Sequence, residues 1–505
     1  MSQLKKLAGQ TAIYGISSIL GRTINFFLLP LYIIYLDKDA LGSFTNLYAF
    51  IAFFNVVFTY GMETTFFRFY TGKGLDPKKV YAQIQSLLLV SSLILGSCIF
   101  FGSEALSIWL NYPGKAYLFK WVAAILAIDA VLAIPYAKLR VENKPLKFAL
   151  SKLGNILLNV GLNILMISVG YHIWNGDYLT GLQNTVGALY QPDWGIEYIL
   201  IANLIANAVM IPILFMLSGF FTFKIEWEYI KPMWKYAIPL FFMGLAGVTN
   251  EVFSRSIFEF VIPENFYPGL TPREAGGIFG ANFKLAIFMS LIIQAFKFAA
   301  EPFFFNQSTD KNSPLLFAKV MHAFIIFCSL LMIMVSVNLN ILGKFILVEE
   351  EYMEVMYIVP ILLLGYLFLG IYFNLSIWFK LTDQTKYSFY FTLIGAIVTV
   401  IVIFIFVPKI GYMGAALSTI SCYFIMSALC YFYGQRYFPI PYKLLKGLTY
   451  ILLASTLSYA GFFLETENQI LQFLLKNLMV IPFVILILAF EKKEIQTLFR
   501  NRIPL

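Results

Sequence analysis

Sixteen ionisable or amide side chains interrupt segments that are otherwise apolar, and their spacing limits the chemistry open to them. Arg22 is twelfth in an apolar run of 26 residues, with Asn25 one helical turn on. Glu63 shares the second segment with Asn46 and Asn55, and Arg68 closes it; Asp129 lies six residues before Pro135. Asn155-x3-Asn159-x3-Asn163 stacks three amides on one helical face, and Asn203 and Asn207 repeat the spacing in the next segment. Glu251-x3-Arg255-x3-Glu259 forms another such face, and Lys284 follows in the eighth segment.

An ionised group in hydrocarbon costs about 3 kcal/mol or more, so it faces a cavity or a partner. Arg22 and Lys284 are the cations most in need of an anionic partner, from another helix or from a substrate. Glu63, Asp129 and Glu251 are candidates for binding a coupling proton or sodium ion. Plainer roles stay open. The amides can glue helices together. Glu63 can neutralise Arg68, and the Glu251–Arg255–Glu259 face can neutralise itself. Arg22 and Lys284 have no opposite charge three or four residues away on their own helices.

These groups need a scaffold that holds them in lipid. The chain is 60% hydrophobic and 12% charged, against about 25% charged in a soluble domain. Its mean hydropathy is +0.78. One span takes roughly 20 residues, and fourteen fit, at about 11–36, 42–70, 80–101, 117–137, 148–170, 196–221, 234–261, 276–305, 315–338, 355–377, 387–407, 411–433, 447–464 and 469–490. The expectation is an all-α integral membrane protein. The first apolar run is too long for a signal peptide's core and reads as an uncleaved first span.

Charge placement tests the count. With the N-terminus in the cytoplasm, 24 of 36 basic residues fall on cytoplasmic faces and six on outer ones. That bias is the positive-inside rule, so both termini are expected in the cytoplasm. The net charge of +9 then reports topology, and no nucleic-acid partner is expected. Cys98, Cys328, Cys422 and Cys430 sit in apolar segments at no metal-ligand spacing; there are two histidines and no GxxxxGK[ST] loop. No cofactor is expected beyond a coupling H+ or Na+. No loop is long enough to fold as a catalytic domain. The longest, 171–195, carries Trp174, Tyr178, Tyr190 and Trp194, suited to sugars or to anchoring at the membrane interface.

An internal echo orders the spans. Asp39-Ala-Leu-Gly-Ser-Phe44 opens the second and Glu274-Ala-Gly-Gly-Ile-Phe279 the eighth, 235 residues later and in the same orientation. Parallel repeats imply two six-helix lobes, 1–222 and 223–440, followed by 441–505 with two more spans and a cytoplasmic tail.

The first 70 residues resemble the polysaccharide-transport (Wzx-type flippase) branch of the multidrug/oligosaccharidyl-lipid/polysaccharide (MOP) exporter superfamily. Gly21-Arg22, Pro30 and the acidic–x–x–Gly–x–Phe start of the second span carry the likeness, and Gly411-Tyr-Met-Gly-Ala-Ala416 matches the family's twelfth-span start. The resemblance implies a non-enzymatic flippase of the bacterial inner membrane, moving saccharides linked to undecaprenyl diphosphate by alternating access. Its partners would be that substrate, membrane lipids and polysaccharide-assembly proteins, with Arg22, Arg255 and Lys284 meeting the diphosphate and Asn25, Asn159 and Asn163 the saccharide. The family includes peptidoglycan-precursor flippases, but Arg22 is a sparser midplane cation set than theirs, which favours an O-antigen, capsule or exopolysaccharide unit. Two alternatives remain. A drug/cation antiporter of the superfamily should have twelve spans and an acidic cavity, and a membrane glycosyltransferase or polymerase should have a larger outer loop.

Overall fold

The computed structural model describes residues 19–71, 75–307, 312–382 and 384–500, except the side chains of 298–299, 301–302, 305–306 and 493–500. Lys5, Lys6, Lys73, Lys311 and Arg502 of the charge census lie outside the described residues. Among the described residues eleven helices are long and apolar enough to cross a membrane. A twelfth is the pair Pro272–Leu285 and Ile287–Lys297, bent by 45°. The shorter apolar helix Ile19–Tyr35 occupies the place of the first expected span, and Leu444–Phe463 that of the thirteenth. The all-α membrane fold expected from composition is the one observed.

In chain order these are α1 (Ile19–Tyr35), α2 (Lys38–Tyr70), α3 (Pro77–Phe101), α4 (Ala116–Val141), α5 (Pro145–Asn175), α6 (Ile196–Ser218) and α7 (Trp227–Val261). The bent pair is α8, followed by α9 (Ser313–Val337), α10 (Glu350–Leu381), α11 (Lys386–Ile410), α12 (Tyr412–Tyr437), α13 (Leu444–Phe463) and α14 (Gln469–Lys492). Starts follow local chemistry. Asp37 accepts from the Ala40 amide at 2.7 Å to cap α2. Asp76 accepts from the Lys78 amide at 2.9 Å, with Pro77 in the first turn of α3, where its missing N–H costs nothing.

The chain forms two compact units. The first comprises residues 1–280 and 392–408. In it α2 packs on α7 and α4, α3 on α4, and α6 on α4 and α5. One apolar core gathers Met62, Phe66, Val80, Ile84, Leu88, Ile134 and Met233. The end of this unit that carries Lys138, Arg140 and Lys144 is called the basic end below. At the other end the 171–195 aromatics pack on each other: Tyr190 stacks on Tyr198 (5.4 Å, 13°), and Trp194 meets Trp121 at 6.0 Å. Leu179 and Leu189 beside them are exposed, as in a segment lying at a membrane interface.

The second unit comprises 281–391 and 409–505, with α10 packed on α12 and α9 on α10 and α13. Trp378 is fully buried, stacks on Tyr437 (5.3 Å, 5°) and donates to the Cys430 carbonyl at 3.1 Å. The last two helices are tied in by one carboxylate: Glu491 of α14 accepts from Tyr450 (3.1 Å) and Lys446 (3.3 Å) of α13 and pairs with His322 of α9 at 2.9 Å. Cys328, Cys422 and Cys430 are buried and Cys98 is exposed; none of the four forms a disulfide.

Candidate functional site

The amide stripe of α5 and the carboxylate of α4 meet inside the first unit. Asn207 of α6 donates to Asp129 at 2.7 Å and to Asn203 at 2.9 Å, and it accepts from Asn155 at 2.9 Å. Asn203 donates to the Tyr48 hydroxyl of α2 at 3.1 Å. Further along α5, Asn163 donates to the Asn159 side chain at 3.1 Å and accepts from the Tyr32 hydroxyl of α1 at 3.0 Å. Asn155 and Asn163 therefore tie α5 to α6 and α1 as helix glue, and the amides give one face of α5 a polar wall. α5 widens to a π-turn over Ile164–Val169 just past Asn163, the kind of irregularity that often marks a functional segment.

At the basic end this wall opens into a cavity of about 280 Å³. Asn55 and Glu63 enter it from α2, Asp129 and Arg140 from α4, Lys152 and Asn155 from α5, and Asn207 from α6. Arg140 holds Glu63 at 2.5 Å, with both side chains nearly half exposed. Its guanidinium also lies 4.9 Å from the Phe67 ring centre. The Lys152 amine sits over the Tyr136 ring at 4.1 Å and lines the same cavity as Asp129. The cavity thus offers two cations, two carboxylates and three amides in a low-dielectric wall. It can bind a hydroxyl-rich group, an anion that displaces Glu63 from Arg140, or a small cation at Asp129.

The candidates named from the sequence divide. Glu63 and Asp129 share this cavity; Asn159 and Asn163 lie one and two turns beyond Asn155 on α5, outside its lining. Glu63 pairs with Arg140, while Arg68 lies over the Tyr236 ring at 4.2 Å. Arg22 and Asn25 are exposed on α1. On α7, Glu251 is exposed and Arg255 donates to its carbonyl at 3.2 Å. Lys284 belongs to the second unit.

Three charged residues that matter, Arg140, Lys152 and Arg273, lie outside the set singled out as site residues. Lys152 counted among loop charges, although its place three residues before Asn155 puts it on the amide face. Arg273 counted as an outer-face cation. It is 16% exposed and reaches Glu259 of α7 (3.4 Å), Asp39 of α2 (3.9 Å), the Asn111 carbonyl (2.6 Å) and the Tyr112 ring (3.9 Å). Glu259 thus turns to another helix. No group of three or more His, Cys, Asp or Glu side chains among the described residues is placed to hold a metal ion.

No family profile matches the chain. No curated protein matches it in sequence. Solved structures do match. The lipid II flippase MurJ in an inward closed conformation superposes with a TM-score of 0.69 at 17% identity, covering 96% of this chain and 100% of that one. The Vibrio cholerae MATE transporter VcmN gives 0.58 at 14%, covering 86% and 98%. An inward-facing multidrug resistance MATE transporter of the MOP superfamily gives 0.58 at 14%, covering 82% and 94%. The chain is a multi-pass helical membrane protein with the fold of the MOP-superfamily transporters.

Proposed function

We propose that the protein is a flippase that moves a lipid-linked oligosaccharide, carried on undecaprenyl diphosphate, across the bacterial inner membrane by alternating access. The observation that supports it most is coverage. The flippase structure accounts for 96% of this chain and all of its own, while the two MATE structures account for 82% and 86%. The positive-inside bias supports cytoplasmic termini, and the repeat supports lobes at 1–222 and 223–440.

A diphosphate bearing sugars cannot cross hydrocarbon without a hydrated, charged path. In this reading Asn155, Asn159, Asn163 and Asn207 meet sugar hydroxyls, and Arg140 and Lys152 supply cations at the basic end. Arg22 with Asn25, Arg255 and Lys284 are the proposed diphosphate contacts. Asp129, Glu63 and Glu251 are the proposed binders of a coupling H+ or Na+. No bond is made or broken in the cargo, so no catalytic residue is assigned.

Cation antiport, the reading the MATE likeness favours, calls for a net acidic cavity. The cavity seen here balances Arg140 and Lys152 against Glu63 and Asp129. Thermal unfolding of the purified protein separates the two. An undecaprenyl diphosphate oligosaccharide should stabilise it by about 2.7 kcal/mol at a hundred times its Kd, with little effect from a lipophilic cation. The opposite ranking would favour the antiporter.

A further inference from the structure

Tyr60 and Gly61 both take positive φ (32° and 75°) and break α2 between Thr59 and Met62. Gly61 is required there, since a Cβ would lie 2.8 Å from the Leu240 Cβ and 3.2 Å from the Ala237 carbonyl of α7. Beside the break, where α2, α3 and α7 meet, lies a recess of about 350 Å³. Val57, Ile94, Leu95, Trp234, Ile238 and Phe241 wall it. Its two hydroxyls satisfy each other, with Tyr60 and Ser91 bonded at 2.9 Å. A water needs two to four polar partners, so the recess suits hydrocarbon. Ile94 and Ile238 are 58% and 42% exposed, so it opens to the surface of the unit.

The same face of α7 carries charge below the recess. Ile238, Lys235 and Lys231 follow one another at helical spacing, and Lys231 lies seven residues, about 10 Å, nearer the basic end. Both lysines are exposed and make no ion pair among the described residues. Lys79 lies 5.9 Å over the Tyr229 ring, and Arg68 lies 4.2 Å over Tyr236. Glu228 is the acidic residue in the first turn of α7, and Lys224 already pairs with Glu226. The charge is complementary to a phosphate at the membrane surface, with an apolar slot one to two turns deeper.

We propose that the recess and Lys231 and Lys235 form a binding site for an anionic phospholipid of the leaflet at the basic end. One acyl chain fills the recess, and the phosphate sits at the two lysines. The chain braces the broken α2 against α7. This site is independent of which molecule the protein transports.

The test uses the full-length protein, purified in mild detergent, exchanged into phosphatidylcholine nanodiscs with added phosphatidylglycerol, and read by native mass spectrometry. Phosphatidylglycerol should be retained over phosphatidylcholine. Lys231→Ala with Lys235→Ala should weaken that retention about 30-fold, at about 1 kcal/mol per surface lysine. Ile238→Trp, filling the recess from α7, should release both lipids. Ile94→Trp fills it from α3 and serves if the first variant folds poorly. Equal retention of the two phospholipids, unchanged retention by the lysine variant, or a polyprenyl chain as the retained lipid would each overturn the assignment.

Discussion

Gly42 of α2 and Gly277 of α8 meet backbone to backbone: a Cβ on Gly277 would lie 2.7 Å from the Gly42 nitrogen and 3.0 Å from its Cα. These are the equivalent glycines of the two echoed motifs, 235 residues apart. Three residues on, Gly280 is pressed against Thr45. The repeat therefore meets itself at a helix crossing that only small residues permit. Gly277→Val should cost about 1–3 kcal/mol through overpacking, read as a lower melting temperature, while Gly269→Ala, at a site with nothing within 4 Å, should cost less despite its positive φ.

Arg273 stands beside that crossing and neutralises Glu259, whose side chain is 6% exposed. Arg273→Ala should cost about 3 kcal/mol, because a buried carboxylate loses its guanidinium. Adding Glu259→Gln should recover much of it. A double-mutant cycle in thermal unfolding checks this, and strictly additive losses would mean the pair is not coupled.

In the cavity, Asp129→Asn keeps an acceptor for Asn207 but removes one of the two carboxylates that share the cavity with Lys152. It should lower stability by about 1 kcal/mol, and Lys152→Met on that background should restore it. If Asp129 binds the coupling ion, transport by Asp129→Asn should become indifferent to proton and sodium gradients. Unaltered coupling would remove Asp129 from that role.

Glu142, in the turn between α4 and α5, gives a pH signature. Partial burial pushes its carboxyl up, but Lys144 at 2.5 Å, the Tyr70 hydroxyl at 2.9 Å and Lys138 together hold it below the ordinary range. Its stabilisation is thus fully present above the ordinary glutamate value near 4.3 and is lost as pH falls through the lowered one. Melting temperature should fall more steeply with acidification in the native protein than in Glu142→Gln.

Much of this was legible in the sequence, for particular reasons. Apolar length and the lysine bias locate the spans because lipid leaves the backbone few options. Asn155, Asn159 and Asn163 announce a face by their spacing alone, and the structure gives that face partners on α1 and α6. Lys152 and Arg140 were harder to see. Near a span end a charge satisfies the topology rule whether it faces water or a cavity, and only the register of Lys152 with Asn155 separates the two. The break at Tyr60 is marked in the sequence only by Gly61, an isolated glycine that a helical pattern tolerates. Arg273 needed the fold, because its partners come from α2, α7 and the turn at Asn111–Tyr112.

Proteoliposomes give the most direct measurement of the central claim. The protein is reconstituted with a labelled undecaprenyl diphosphate oligosaccharide, and the fraction of sugar reaching the opposite leaflet is read with an impermeant glycosidase. Native protein should translocate the labelled lipid. Arg22→Ala and Lys284→Ala should each slow it by roughly tenfold or more, about 1.4 kcal/mol, while Arg22→Lys keeps part of the rate. Native protein that leaves the oligosaccharide in place while exchanging a lipophilic cation for protons would contradict the account, as would full translocation by the double alanine variant.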